Sequence, residues 1–354
     1  MLRQRYYIYL FSINALVSLA AFIPQFLYKN RYNGSLTSLA ISTLAGSLLL
    51  FLFQAQMKKF PGQNISGMLN RVLPGLLKKS FLSLNYILSI LTGVLFLSSI
   101  MQIIGEFLTL NSSIIYYFFL LLIVFSILSE TKSLLFMLEI TILFVTPVFL
   151  LVLLRFFTDD LVLVDSIKES LTYFKHFPKW QSLVAGLFVF TGFTNLLVYS
   201  EHILPFTKKH LFIIWIISCA VLFSSYFIPI GYFGLNGVGL ENHVWITTID
   251  SMHINYFFLE RIVLVFILVL IGVTLMYLVL TYHSSMKFLQ MMTEDYGGKT
   301  KWVGIFIIVI SAFITQNYLD EINLLRFFIF FFVFRIFMDL ILIVLLFLVS
   351  RKAM

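Results

Sequence analysis

The chain has 354 residues, of which 60% are hydrophobic and only 11% charged, with 41 phenylalanines and a formal net charge of +8. A soluble core of this length could not bury so much apolar surface, which excludes a water-soluble globular fold. The positive balance calls for no nucleic acid, because basic loops facing anionic lipid account for it.

Apolar runs of the roughly 18 or more residues that a bilayer core requires recur along the whole length. They predict about ten spans, at 6–27, 36–57, 80–105, 112–129, 133–157, 181–201, 209–231, 257–283, 302–318 and 322–350. Strict polar/apolar alternation, the mark of a membrane barrel, is absent. The expected class is therefore an all-α integral membrane protein forming a single membrane domain over 1–354. If the N-terminus is cytoplasmic, fifteen lysines and arginines fall in inner segments and six in outer ones. By the positive-inside rule both termini are then cytoplasmic. Residues 2–27 lack a small-residue cleavage site, so the first span is expected to stay. Cys219 is the one cysteine, and no disulfide can form within the chain.

Span one contains "INALVSLAAFIP" (13–24), with Asn14, Ser18, Ala20, Ala21 and Pro24 amid apolar neighbours. After span two, the basic loop 58–79 repeats Leu69, Val72, Leu73, Leu76 and Leu77 at helical spacing, which predicts a short helix on the inner membrane surface. Span three offers Gln102 as its best polar candidate, one turn before Glu106. The loop 159–180 is acidic and external. Span six, "LFVFTGFTNLLVYSEH" (187–202), sets Thr191, Gly192, Thr194 and Asn195 within five positions. Segment 232–256 reads as an outer lid or interfacial loop. In the last span Arg335 and Asp339, at i and i+4, share a helix face and can pair, as a structural salt bridge or as a gating pair. Each such residue costs roughly 2.5–3.5 kcal/mol on insertion scales and usually faces the bundle interior.

An odd number of spans per half would set two halves, 1–157 and 181–354, in opposite orientations on either side of the loop 158–180. In such five-plus-five inverted repeats the first span of each half is often interrupted near the midplane, freeing backbone groups for a substrate. Gly192 would permit that break in span six, and Thr191, Thr194 and Asn195 could satisfy the freed groups or face a ligand. Close helix packing by small residues is the other reading of the same positions, and of Ser18, Ala20 and Ala21.

Several blocks together resemble the spore-germination permease family, the B-type subunits of nutrient germinant receptors within the amino acid–polyamine–organocation superfamily. They are Asn14 to Pro24; "QAQMKKFPGQNISGMLNRVLPG"; "FTGFTNLLVYSEH", with Glu201 and His202 following the mid-span glycine; "WITTIDSMHINYFFLERI", ending in Glu260 and Arg261; and "NYLDEINLL". The resemblance implies an amino acid permease-like fold with broken first and sixth helices, in the inner membrane of a bacterial spore. It also implies partnership with an A-type membrane subunit and a C-type lipoprotein, and recognition of a small-molecule nutrient, commonly an amino acid. The chain departs from the family where no glycine interrupts Val17 to Ala21, and where Thr194 and Val263 replace common acids. A zwitterion's ammonium needs such an acceptor, so the ligand is less polar or binding has been lost.

The six histidines have no metal-site spacing, and no phosphate-cradling glycine loop or nucleophile elbow is present. Neither an enzyme nor a metal or other cofactor is expected. The leading expectation is a germinant-receptor subunit whose ligand-binding residues are Ser18, Ala20, Gln102, Thr191, Gly192, Thr194 and Asn195. The alternatives are an amino acid/proton or cation symporter of the same fold, and a structural or assembly subunit in which these residues only pack.

Overall fold

The structure is a computed structural model that describes residues 2–20, 22–108, 112–240, 243–252, 262–318 and 321–352. Glu260 and Arg261 fall outside these residues, as do Ala21, Leu319 and Asp320. Helices α1 (Arg5–Val17) and α2 (Ile23–Lys29) occupy the first predicted span, and α3 (Ser35–Met57), the short α4 (Ile65–Leu69) and α5 (Gly75–Phe107) follow. Next come α6 (Ser112–Ile127), α7 (Thr131–Thr158), α8 (Val164–Thr172), α9 (Trp180–Phe188) and α10 (Phe193–Tyr199). The chain continues through α11 (Lys208–Gly237), α12 (Val244–Ser251), α13 (Ile262–Thr293), α14 (Gly298–Tyr318) and α15 (Glu321–Lys352). Among the described residues eight helical segments are long and apolar enough to cross a membrane, including the interrupted segment 180–202, whereas ten spans were expected and α6 is a shorter apolar helix. The chain is thus an all-helical, multi-pass membrane protein.

Three sequence expectations are corrected. The surface helix predicted through Leu77 ends at Leu69, and its Ile65, Met68 and Leu69 are buried in the bundle. Pro74, extended at φ −62° and ψ 154°, disfavours a helical residue before it and starts α5 directly. Leu76 and Leu77 therefore belong to the exposed first turn of α5. The segment 232–256 is no simple lid: α11 runs on to Gly237 past a kink at Gly234 (φ 67°), and α12 buries Val244, Trp245, Ile246 and Ile249. The span predicted to end at 283 continues to Thr293.

Helices in a bilayer gain little from mutual burial of apolar side chains, so close packing of small residues draws them together. Gly93 of α5 lies under the buried ring of Tyr282 of α13, and a Cβ there would come within 2.2 Å of Tyr282 Cζ. Gly186 of α9 meets Ser42 of α3 in the same way, and Gly46 of α3 meets the ring of Phe190. Peripheral α7 and α14 expose Leu143, Phe144, Val303 and Phe306, as lipid-facing helices would. The basic segments gather at one end of the bundle. There the Leu2 amide donates to the His202 carbonyl (2.6 Å), and Lys59 Nζ reaches Ser350 Oγ (3.4 Å). Lys78 pairs with Glu294 (3.5 Å).

Gly93→Ala should force Tyr282 out of place, at a cost of about 1–3 kcal/mol. Thermal unfolding of the purified chain in detergent should show a midpoint several degrees lower. Gly272→Ala, inside α13 where a Cβ meets nothing within 4 Å, should not lower it and should raise it slightly through helix propensity.

Candidate functional site

Both interrupted spans break where the sequence clusters small and polar residues. In the first, α1 stops at Val17, the chain turns through Ser18, Leu19 and Ala20, and α2 resumes at Ile23. No glycine serves this break. Phe22 adopts the left-handed region at φ 55°, which costs a non-glycine residue roughly 1–2 kcal/mol. The Ser99 hydroxyl of α5 donates to the freed Ala20 carbonyl. In the sixth span, α9 ends at Phe188 and α10 begins at Phe193, with Gly192 at φ 107° between them. A Cβ on Gly192 would stand 2.6 Å from Arg335 Nη2 and 3.2 Å from Asn14 Oδ1. Glycine is required here both for the backbone angle and for the approach of a guanidinium.

The groups freed by the second break are satisfied from two other helices. The Gly192 amide donates to Asp339 Oδ2 at 2.7 Å, while the Thr194 amide and hydroxyl donate to Oδ1 at 3.2 and 2.9 Å. Asn14 Nδ2 donates to the carbonyls of Phe188 (3.2 Å) and Thr191 (3.0 Å). Asn14 Oδ1 in turn accepts from Arg335 Nη2 at 2.9 Å, and Arg335 Nη1 donates to the Tyr277 hydroxyl at 2.8 Å. The guanidinium lies 4.9 Å from the centre of the Phe188 ring. A carboxylate thus meets the amide end of α10, and an amide backed by a cation meets the carbonyl end of α9, each matching the sign of the half-helix dipole.

The expected Arg335–Asp339 pair is corrected accordingly. Both side chains are buried on α15, at 4% and 1% exposure, yet they form no direct salt bridge. Each charge is turned instead toward its own half of the break, where several donors or acceptors converge on it.

Beside this network lies a cavity of about 30 Å3, lined by Asn14, Thr191, Gly192, Asn195, Tyr277 and Arg335, with Tyr199, Thr281 and apolar residues completing it. It has room for about one or two waters. Of the predicted ligand-binding residues, Thr191, Gly192 and Asn195 line it, whereas Thr194 is turned to Asp339. Ser18, Ala20 and Gln102 do not line it. Ser18 caps α1, Ala20 lies in the other break, and Gln102 sits on α5 with its Oε1 buried and unpartnered among the described residues. Sequence reasoning overlooked the contribution of α13. Its signal was present: Thr274, Tyr277, Thr281 and Ser284 form a polar stripe at helical spacing in an otherwise apolar helix.

A second cavity, of about 10 Å3, adjoins the first break among Leu19, Phe22, Gln25, His243 and Trp245. His243 Nε2 lies 3.1 Å from Glu106 Oε2, and its ring packs 5.4 Å from that of Phe22. Burial pushes the His243 imidazole down to about 4. Among the described residues no group of three or more histidines, cysteines or acids could hold a metal.

No protein-family model matches the chain, and no curated protein shows significant similarity to it.

Two measurements check this geometry. Asp339→Ala strands the buried amides of Gly192 and Thr194, at about 1–3 kcal/mol for each unsatisfied group; Asp339→Asn, which keeps a carbonyl acceptor, should lower the thermal midpoint less. His243 titrates near 4 when folded and near 6.5 when free. Protons therefore bind the unfolded chain preferentially between those values, and stability should be level above pH about 6.5 and decline below it. A midpoint series from pH 7.5 to 5 should show that decline, and His243→Gln should make it shallower, His202 and His210 keeping their own share.

Proposed function

We propose that the chain is a B-type membrane subunit of a spore nutrient-germinant receptor, built as ten spans in a five-plus-five inverted repeat with both termini cytoplasmic. One observation carries this reading: the first and sixth predicted spans are both interrupted, and α1 of the first meets the break of the sixth around a buried cavity lined by hydrogen-bonding side chains. The sequence blocks that resemble the germination permeases point the same way. On this reading the described conformation is closed, since about 30 Å3 admits no nutrient. Arg335 Nε is buried without a partner among the described residues, and it would favour a nutrient that offers an acceptor group.

A nutrient binds the open form better than the closed one and shifts the population between them. The A-type subunit and the C-type lipoprotein respond to that shift and trigger germination from the spore inner membrane. A second reading, an amino acid/proton or cation symporter of the same fold, is favoured by Asp339. It supplies a titratable carboxylate at the position where Thr194 replaces the acid expected in span six.

Deleting the gene and exposing spores to a panel of nutrients tests the first reading. Response to one nutrient class should be lost, and Asn195→Leu should raise the concentration needed for half-maximal response to that class about tenfold, a loss of about 1.4 kcal/mol. Unchanged germination on every nutrient would refute the receptor role. Uptake of labelled amino acid by proteoliposomes holding this chain alone would establish the symporter instead.

A further inference from the structure

A polar cavity much larger than the central one also adjoins the broken sixth span. A cavity of about 390 Å3 opens at the basic end of the bundle, between the hairpin joining α6 to α7, the end of the sixth span and the last turns of α13. That volume falls in the range of small-molecule sites, roughly 300–1,000 Å3. Lys132, Lys287 and Lys301 line it, and none of the three pairs with a carboxylate among the described residues. Of the two acids there, Glu201 is held by His202 at 3.2 Å, and Glu130 lies on the exposed hairpin. The lysines thus leave the lining net positive. Its floor is rigid: buried His283 is held between the Thr131 hydroxyl (3.1 Å) and the Ile127 carbonyl (3.3 Å).

We propose that this cavity binds a phosphate-bearing anion, either a free solute or a lipid headgroup. Lysine ammonium groups serve phosphate as compact point charges with several donors each. Three of them around one concave site, unspent on carboxylates, fit a doubly charged oxyanion better than any cation. The site also adjoins the closed centre. Tyr199 lines the central cavity and stacks on His283, with ring centres 6.0 Å apart, so an occupant bears on the helix end that closes that cavity. The assignment rests on this lining alone and stands whether the chain is a receptor subunit or a symporter.

Titration calorimetry of the full chain in detergent, with pyrophosphate as probe, tests the solute arm. Thermal midpoints in nanodiscs of phosphatidylcholine, with and without phosphatidylglycerol, test the lipid arm. Saturable pyrophosphate binding, weakened about tenfold or more by Lys287→Gln and retained by Lys287→Arg, assigns a free solute. A phosphatidylglycerol-dependent rise in midpoint that the same substitution abolishes assigns the headgroup. Should Lys287→Gln fail to fold, the double variant Lys132→Gln/Lys301→Gln, altered only at exposed positions, carries the same comparison. Absence of both effects, or effects equal in wild type and variants, overturns the proposal.

Discussion

The carboxylate of Asp339 on the amides of Gly192 and Thr194 is the contact on which the broken sixth span depends. Within a bilayer no water stands ready to satisfy a backbone group, and each orphan costs several kcal/mol. A helix can therefore be interrupted there only if other elements supply its missing partners. A single turn of α15, about 6 Å of rise between Arg335 and Asp339, supplies both signs of charge needed. The acid takes the amide end of one half-helix. The base, through Asn14, supports the carbonyl end of the other.

Asn14 extends the consequence to the first span. Its amide binds two carbonyls of span six while its oxygen accepts from Arg335, so α1, the break after α9, and α15 share one hydrogen-bonded centre. Such a network in a low dielectric is stiff, because losing any member strands the others, although Arg335 Nε is left without a partner among the described residues. A ligand entering the adjoining cavity must enlarge it and compete for groups already paired. That requirement couples binding to a change of conformation, which a receptor subunit and a symporter both need. The lysine-lined cavity at the basic end lies one aromatic contact away, at Tyr199 and His283.

Much of this was readable from residues. Hydropathy marked the apolar helices because the bilayer imposes a length, though only eight of the described segments are long enough to cross where ten spans were expected. The break in span six showed itself through a glycine flanked by hydroxyl and amide side chains. The break in span one was harder to read, since it uses Phe22 in a left-handed conformation where a glycine would be the ordinary signal. Helical spacing placed Arg335 and Asp339 on one face, but spacing describes only a helix's own neighbours. Across the bundle, the freed groups of another helix proved the better partners. Ser18 and Ala20 were drawn in as small residues of the first span and Gln102 by its polarity, and neither size nor polarity specifies which way a buried residue turns. For the loop 58–79, a leucine periodicity that runs straight through Pro74 concealed a helix start.

Backbone hydrogen exchange at the sixth-span break tests the central claim most directly. With the chain in detergent or nanodiscs, the amides of Gly192 and Thr194 should exchange as slowly as those of α10, because Asp339 holds them, and Asp339→Ala should release both. Exchange at these two amides in the wild type as fast as in an exposed loop would contradict the account, since the break would then be held by something other than α15.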